Sequence, residues 1–465
     1  MRHENRSIPQ VGYCLSSAIL LVAMAMSVPA QAGGKTKGFL TGPLLIEDQG
    51  SFYIGGVPKV TNYAASPTPT GTQPNQIMIG QMYVQFQVPA KKRHNALPVI
   101  HVHGSTHTGA ALESTPDGRE GWLPYFVRQG IPTYVVDQPG RGRSGFDQSV
   151  IHEGEALVNS GDIAGGTQLI PSIGRITSNG AWTAWFGHLV VPGTCTTSTD
   201  ILTGELVQHG WAACDPSLPT VHPNPAGYLP AYPIDAIDVP EYPRNLAPVG
   251  NFPDAHLGPT PYGPTAYYQL KYYKQLVPNA EATLPGSICP TYSRDSFTLP
   301  TVDPTRLAPS NTWSPFDLAL LVEQLGEAIV GTHSQSGIQG HHMARVLKER
   351  GHLGMLKALI TIEGGCSLAN SGLTAADFDD IPYLAIKGDY TVDSPTCKDT
   401  VDQINARRAA GFGTAKADYI KLDDPSFHGA FNGTTHMMML GTNNLEVADV
   451  ILNWVDENVR TKDKH

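Results

Sequence analysis

Two stretches of this 465-residue chain alternate apolar runs of strand length with amphipathic segments of helix length. That alternation restricts the fold more than any other feature. In the first stretch, Pro98–Gly104 reads as an apolar strand ending in a turn, Glu120–Gly130 as a helix with a glycine stop, and Thr133–Asp137 as another strand. Strand, helix, strand at this spacing is a βαβ unit, which implies a parallel sheet. The pattern resumes near residue 315. Helices are expected over Phe316–Gly326, Ile338–Glu349, Thr400–Ala410 and about Leu445–Val459, with strands over Glu327–Gly331, Ala358–Glu363, Tyr383–Asp389 and Asp418–Leu422. Upstream, Gly42–Glu47, Ser51–Ile54 and Met82–Val88 are short β-type runs, and the period-two alternation of the last marks half-buried antiparallel strands. The expected architecture is α/β: a doubly wound, mostly parallel sheet with an antiparallel N-terminal edge.

Between the two stretches the composition changes. Residues 211–310 hold 19 of the 38 prolines and 9 of the 18 tyrosines. Proline denies such a segment long helices and central strands. Residues 145–310 therefore read as a large insertion, mostly irregular apart from a helix at about Ala266–Leu276, whose aromatics favour a packed cap over disorder. Tyr267, Tyr268, Tyr272, Tyr273, Trp182, Trp185 and Phe186 are candidates for core packing or for a pocket wall. The formal charge of −10 excludes binding to nucleic acid by broad phosphate neutralisation.

The N-terminus has a positive start, an apolar run from about Val11 to Val28, and Pro29-Ala30-Gln31-Ala32. This is the pattern of a secretory signal peptide cleaved after Ala32. The expected organisation is a signal over 1–32 and one domain over 33–465, secreted or periplasmic, with no membrane partner after cleavage. Export favours paired cysteines. Cys14 leaves with the signal. Cys366 and Cys397 follow two candidate strands that could be neighbours and are paired on that ground. Cys195 and Cys214 close a short loop, with Cys289 as an alternative partner for either.

The chemistry is carried by Val330-Gly331-Thr332-His333-Ser334-Gln335-Ser336-Gly337, at a strand-to-helix junction. A serine on such a turn holds its hydroxyl clear of the sheet, and small residues must flank it because strand and helix pass close together. Ser334 is the candidate nucleophile and Ser336 its rival. A serine nucleophile needs a base and an orienting acid, in the order serine, acid, histidine for this architecture. His436 and His428 both fall between the last strand and the last helix, and position favours His436. Glu363 and Asp389 both end strands, and the general fold favours Asp389. The oxyanion donors are expected to be the backbone N–H groups of Gln335 and Ser105. His101, His103 and His107 suggest a metal site, but His-x-His-x-x-x-His lacks the nearby aspartate of dinuclear zinc hydrolases. No metal and no cofactor are expected.

Several blocks, in order, resemble small bacterial α/β-hydrolase esterases of the esterase 713 type. They are His103-Gly104, Glu113–Trp122, Tyr125-Phe126, Thr133–Ser144, His333–Gly337, His436–Met439 and Asn443–Asp449. The resemblance covers the α/β core and barely touches the proline-rich insertion. It implies an α/β-hydrolase fold and a serine hydrolase cleaving carboxylic esters of small molecules through an acyl-enzyme, with Ser334 as nucleophile and His436 as base. In that family the acid is a glutamate after the strand that follows the nucleophile helix, which moves the assignment from Asp389 to Glu363. Lactone or amide hydrolysis, perhydrolysis and lyase chemistry are the alternatives on the same fold. One departure is that the family has two adjacent cysteines where this chain has Ser105-Thr106, so any rigidity such a pair gives the oxyanion loop is expected to be absent.

Overall fold

The computed structural model describes residues 40–71, 75–116, 118–177, 181, 185, 195–199, 206–210, 220–223, 272–284, 313–388, 394–431, 434–441 and 443–459. The signal-peptide reading, the Cys195/Cys214/Cys289 pairings, most of the Ala266–Leu276 helix, Trp182, Phe186, Tyr267, Tyr268 and Asp389 lie outside the described residues.

In chain order the strands are β1 (Ile46–Thr61), β2 (Asn75–Pro89), β3 (Val99–Val102), β4 (Thr133–Asp137), β5 (Cys195–Thr199), β6 (Leu206–Gly210), β7 (Thr220–Pro223), β8 (Ala328–His333), β9 (Leu356–Ile362), β10 (Tyr383–Lys387) and β11 (Ala417–Lys421). The helices are α1 (Ala110–Glu113), α2 (Trp122–Arg128), α3 (Ser149–Asn159), α4 (Ile163–Leu169), α5 (Trp313–Leu325), α6 (Ser336–Glu349), α7 (Pro395–Ala409) and α8 (Asn444–Asn458). Eight strands form one sheet in the order β1-β2-β4-β3-β8-β9-β10-β11, and β5-β6-β7 form a small second sheet. β1 and β2 pair antiparallel, as do β2 and β4; every other neighbouring pair of the large sheet is parallel.

Both faces of the central strands β3, β4, β8, β9 and β10 are covered, which explains why they read as unbroken apolar runs. Successive residues alternate between two cores. Ile100, Val136, Val330, Leu359 and Ala385 pack on one side with Leu318, Val322, Met343 and Leu347 of α5 and α6. Val99, Val135, Ile329, Ile360 and Ile386 pack on the other with Trp122 and Phe126 of α2 and Val447 and Ile451 of α8.

Three expectations need correction. Gly42–Glu47 and Ser51–Ile54 are not separate runs: β1 is one strand of 16 residues. Its pairing with β2 carries it through the polar Asp48–Gly50, where the sequence shows no apolar signal. Residues 145–310 are not irregular at their start, because α3 and α4 lie in a stretch free of proline, so the proline argument holds only further on. Finally, α7 begins at Pro395 rather than near Thr400. Ser394 caps it by accepting from the Cys397 N–H, and Pro395 at the first turn suits a helix start.

Candidate active site

The parallel order places the ends of β8, β9 and β10 side by side, and the candidate residues sit where those strands end. Ser334 occupies the turn between β8 and α6 with φ +57°, a left-handed conformation that non-glycine residues seldom adopt. Its N–H donates to Ile362 O (2.9 Å) and its carbonyl accepts from Gly337 N–H (3.0 Å). The small flanking residues have a direct cause. A Cβ on Gly337 would lie 2.9 Å from the Gly364 Cα, and one on Gly104 would lie 2.8 Å from the Ser334 Cβ.

Ser334 Oγ lies 2.9 Å from His436 Nε2, and His436 Nδ1 lies 3.2 Å from Glu363 Oε2. With the proton on Nδ1, the ring donates to Glu363 and accepts from the serine hydroxyl. The His436 carbonyl accepts from His333 Nε2 (2.8 Å), which fixes the backbone that carries the ring. Glu363, directly after β9, is buried and also left-handed, with φ +54°. Its second oxygen accepts from the Gly388 N–H, and Lys387 Nζ stands 4.0 Å from Oε2. Burial alone would push the Glu363 carboxyl up. The hydrogen bond from His436, the Lys387 charge and the Gly388 N–H together hold it below the usual carboxylate range.

The rivals lie elsewhere. Ser336 is fully buried, and its hydroxyl joins the His333 backbone to Val102 O (3.0 Å), a staple inside the turn. His428 is exposed at the end of a short 3-10 turn. The three early histidines have separate duties. His103 Nε2 accepts from Gln138 N–H (3.0 Å) while Nδ1 donates to Gly104 O (2.8 Å). His107 Nδ1 donates to Ser105 O (2.6 Å), and Nε2 accepts from Tyr272 OH (2.6 Å). His101 is buried edge-on against Phe126, and neither ring nitrogen has a partner among the described residues.

The loop after β3 is held by residues that sequence reasoning left without a role. Arg141 is buried and forks onto Glu281, with Nε 3.0 Å from Oε2 and Nη2 2.5 Å from Oε1. It also donates to Gly104 O (3.0 Å) and to Gln335 Oε1 (2.7 Å). Asn279 Oδ1 accepts from Thr106 N–H (2.9 Å), and its Nδ2 donates to Ser105 Oγ (3.1 Å). Arg141 lies within a block that carries the resemblance. Asn279 and Glu281 stand alone in proline-rich sequence, and no motif or period marks them. Trp185 and Tyr272 pack around His107, with ring centroids 5.0 and 5.7 Å away.

Behind Ser334 and Glu363, the disulfide Cys366–Cys397 joins the loop after β9 to the start of α7. This is the pairing expected from the two adjacent strands. No helix among the described residues is long and apolar enough to cross a membrane.

No family model matches the chain. A solved structure described as a novel bacterial esterase is 25% identical, with 90% of this chain and 98% of that chain covered and a TM-score of 0.59. A curated protein from a fungal species (strain ATCC 74256), named probable secreted lipase phiG, is 33% identical over 113 residues. That match covers 24% of this chain and 28% of the relative, so the chain spans under a third of that relative's length.

Proposed function

We propose that this chain, an α/β-hydrolase by fold, cleaves carboxylic esters of small molecules through an acyl-enzyme. The observation that carries the reading is the continuous line from Ser334 Oγ through His436 to Glu363. Ser334 Oγ attacks the ester carbonyl carbon while His436 Nε2 takes its proton. The carbonyl π pair moves to oxygen, where the Ser105 and Gln335 N–H groups receive it. Collapse of the tetrahedral species breaks the bond to the alcohol, which leaves with the proton from His436. Water then attacks the acyl-enzyme, giving its proton to His436, and the acid departs as Ser334 regains a proton. Glu363 keeps the imidazole in the Nδ1–H tautomer and balances the imidazolium charge, helped by its own lowered proton affinity.

Esters are favoured over other acyl substrates by the likeness to the bacterial esterase and to the fungal protein named as a lipase. The name of the latter and the N-terminal 1–32 pattern support export, and residues 145–310 are read as the cap over the site. The test is a panel of short aryl esters, amides and lactones run on wild type and Ser334→Ala, with fluorophosphonate labelling mapped by mass spectrometry. Ester turnover and label on Ser334 are expected, both lost in the variant. Full ester activity in Ser334→Ala refutes the assignment.

A further inference from the structure

The loop Gly104–His107 is tied at almost every peptide group, and most of the ties lead to one short segment. The Gly104 carbonyl accepts from Arg141 Nη1, whose guanidinium is paired with Glu281. The Ser105 carbonyl accepts from His107, whose other nitrogen accepts from Tyr272 OH. The Thr106 N–H donates to Asn279 Oδ1, and the Thr106 carbonyl accepts from Val277 N–H (2.8 Å). Tyr272, Val277, Asn279 and Glu281 all lie within ten residues; Tyr272 and Asn279 stand 165 to 174 positions beyond the loop groups they hold, and Glu281 acts through Arg141, 140 positions before it.

Two further observations give this set a purpose. Thr106 is β-branched and has φ +57°, a strained backbone that persists only when its surroundings hold it. The Arg141–Glu281 pair is also buried. Removing both charges from water costs several kcal/mol per ion, so such a pair is a poor source of stability. What it does here is direct hydrogen bonds onto the Gly104–Ser105 peptide group, which carries one expected oxyanion donor, and onto the side chain of Gln335, whose backbone N–H is the other. In a planar trans peptide the N–H points opposite the C=O. Arg141, pulling on the Gly104 carbonyl, therefore turns the Ser105 N–H of the same peptide away from itself. Gly104 is the residue that abuts Ser334. The second arm of Arg141 holds the Gln335 side chain at the start of α6.

We propose that the segment Tyr272–Glu281 is a positioning strap for the oxyanion hole, with Asn279 and the Arg141–Glu281 pair as its principal positioning residues. The inference rests on the serine-hydrolase reading above. The strap supplies the loop rigidity that the Ser105-Thr106 sequence led us to expect missing. Its action belongs to the transition state. A misaimed donor weakens the hold on the oxyanion and leaves ground-state ester binding unchanged.

The test compares wild type, Ser334→Ala, Asn279→Leu and Glu281→Gln as full chains on one short aryl ester. Affinity for an alkyl trifluoromethyl ketone, which forms a tetrahedral adduct on the serine, is measured in parallel. For the two strap variants kcat is expected to fall about 10- to 100-fold, somewhat less than the roughly 10²- to 10³-fold loss when a donor is removed outright. KM should stay within about twofold, and ketone affinity should fall in step with kcat. Should Glu281→Gln fail to fold, Asn279→Leu, which removes no charge, carries the comparison. If Ser334→Ala is inactive while both folded strap variants keep wild-type kcat and ketone affinity, the strap is refuted and the serine reading stands. Ester activity surviving in Ser334→Ala refutes both.

Discussion

Ser334 and Glu363 end adjacent parallel strands, and both backbones are left-handed, with φ +57° and +54°. Side chains at such angles cost about 1–3 kcal/mol each. The turn that lifts the Ser334 hydroxyl and the turn that brings the carboxylate under His436 are therefore held by what surrounds them. The Ser334 N–H bond to Ile362 O and the Glu363 N–H bond to Ile386 O (2.9 Å) tie both turns to the sheet.

This strain can be measured at Ser334. Glycine and alanine both remove the hydroxyl, but only glycine is at ease at φ +57°. Ser334→Gly is expected to unfold at higher denaturant than Ser334→Ala, by about 1 kcal/mol, with neither variant active. Equal midpoints, or a more stable alanine variant, would show that the turn is unstrained.

A second expectation concerns acid. Burial pushes the pKa of His101 and His333 down to about 3 and that of His103, His341 and His342 to about 4, and it holds His107 well below 6.5. These rings are neutral in the folded chain and free to protonate when it unfolds. Their contribution to stability is complete above pH 6.5 and is lost as pH falls from there toward 3–4. Each ring steepens the loss by about 1.4 kcal/mol per pH unit. Glu363, with its proton affinity lowered, adds to the loss at lower pH. Urea midpoints should be level from pH 8 to 7 and drop steeply between 6 and 5. His101→Leu, which removes two buried nitrogens with no partner among the described residues, should raise the midpoint at pH 7 and soften that drop. A midpoint at pH 5 equal to that at pH 8 would contradict the burial of these rings.

The disulfide offers a third. Cys366 and Cys397 are separated by 31 residues and fully buried. A loop of that length is worth about 3–4 kcal/mol in the chain-entropy model. Replacing both cysteines by alanine should lower unfolding stability by about that amount. Kinetics on the variant would show whether loosening a loop anchored three residues past Glu363 also costs turnover. Unchanged stability would mean that α7 and the β9 loop are fixed by packing alone.

The strand–helix alternation was legible because the central strands β3, β4, β8, β9 and β10 are covered on both faces by helices that pack on the sheet. The disulfide was legible because Cys366 and Cys397 follow strands that are neighbours, β9 and β10. Ser334 stood out because close strand–helix passage leaves its own mark, the small Thr332, Ser336 and Gly337. The acid did not. Glu363 and Asp389 both follow apolar strands, and only the family resemblance separated them. The structure links Glu363 to His436, while Asp389 lies outside the described residues. Asn279 and Glu281 were out of reach for a different reason. Their partners, Thr106 and Arg141, are 173 and 140 positions away, and isolated contacts over such spans leave no periodicity behind.

The ties from Val277, Asn279 and, through Arg141, Glu281 to residues 104–106 also bear on how such an enzyme can be remodelled. The stretch between β4 and β8 looks like an exchangeable cassette, the natural place to graft another cap or to randomise for a new substrate. Its portion 272–281 is bonded to the loop beside Ser334. A graft that ends before residue 272, and a library that spares 272–281, keep that loop in place. One that replaces the stretch wholesale changes selectivity and turnover at once, and no screen for the former could be read without the latter.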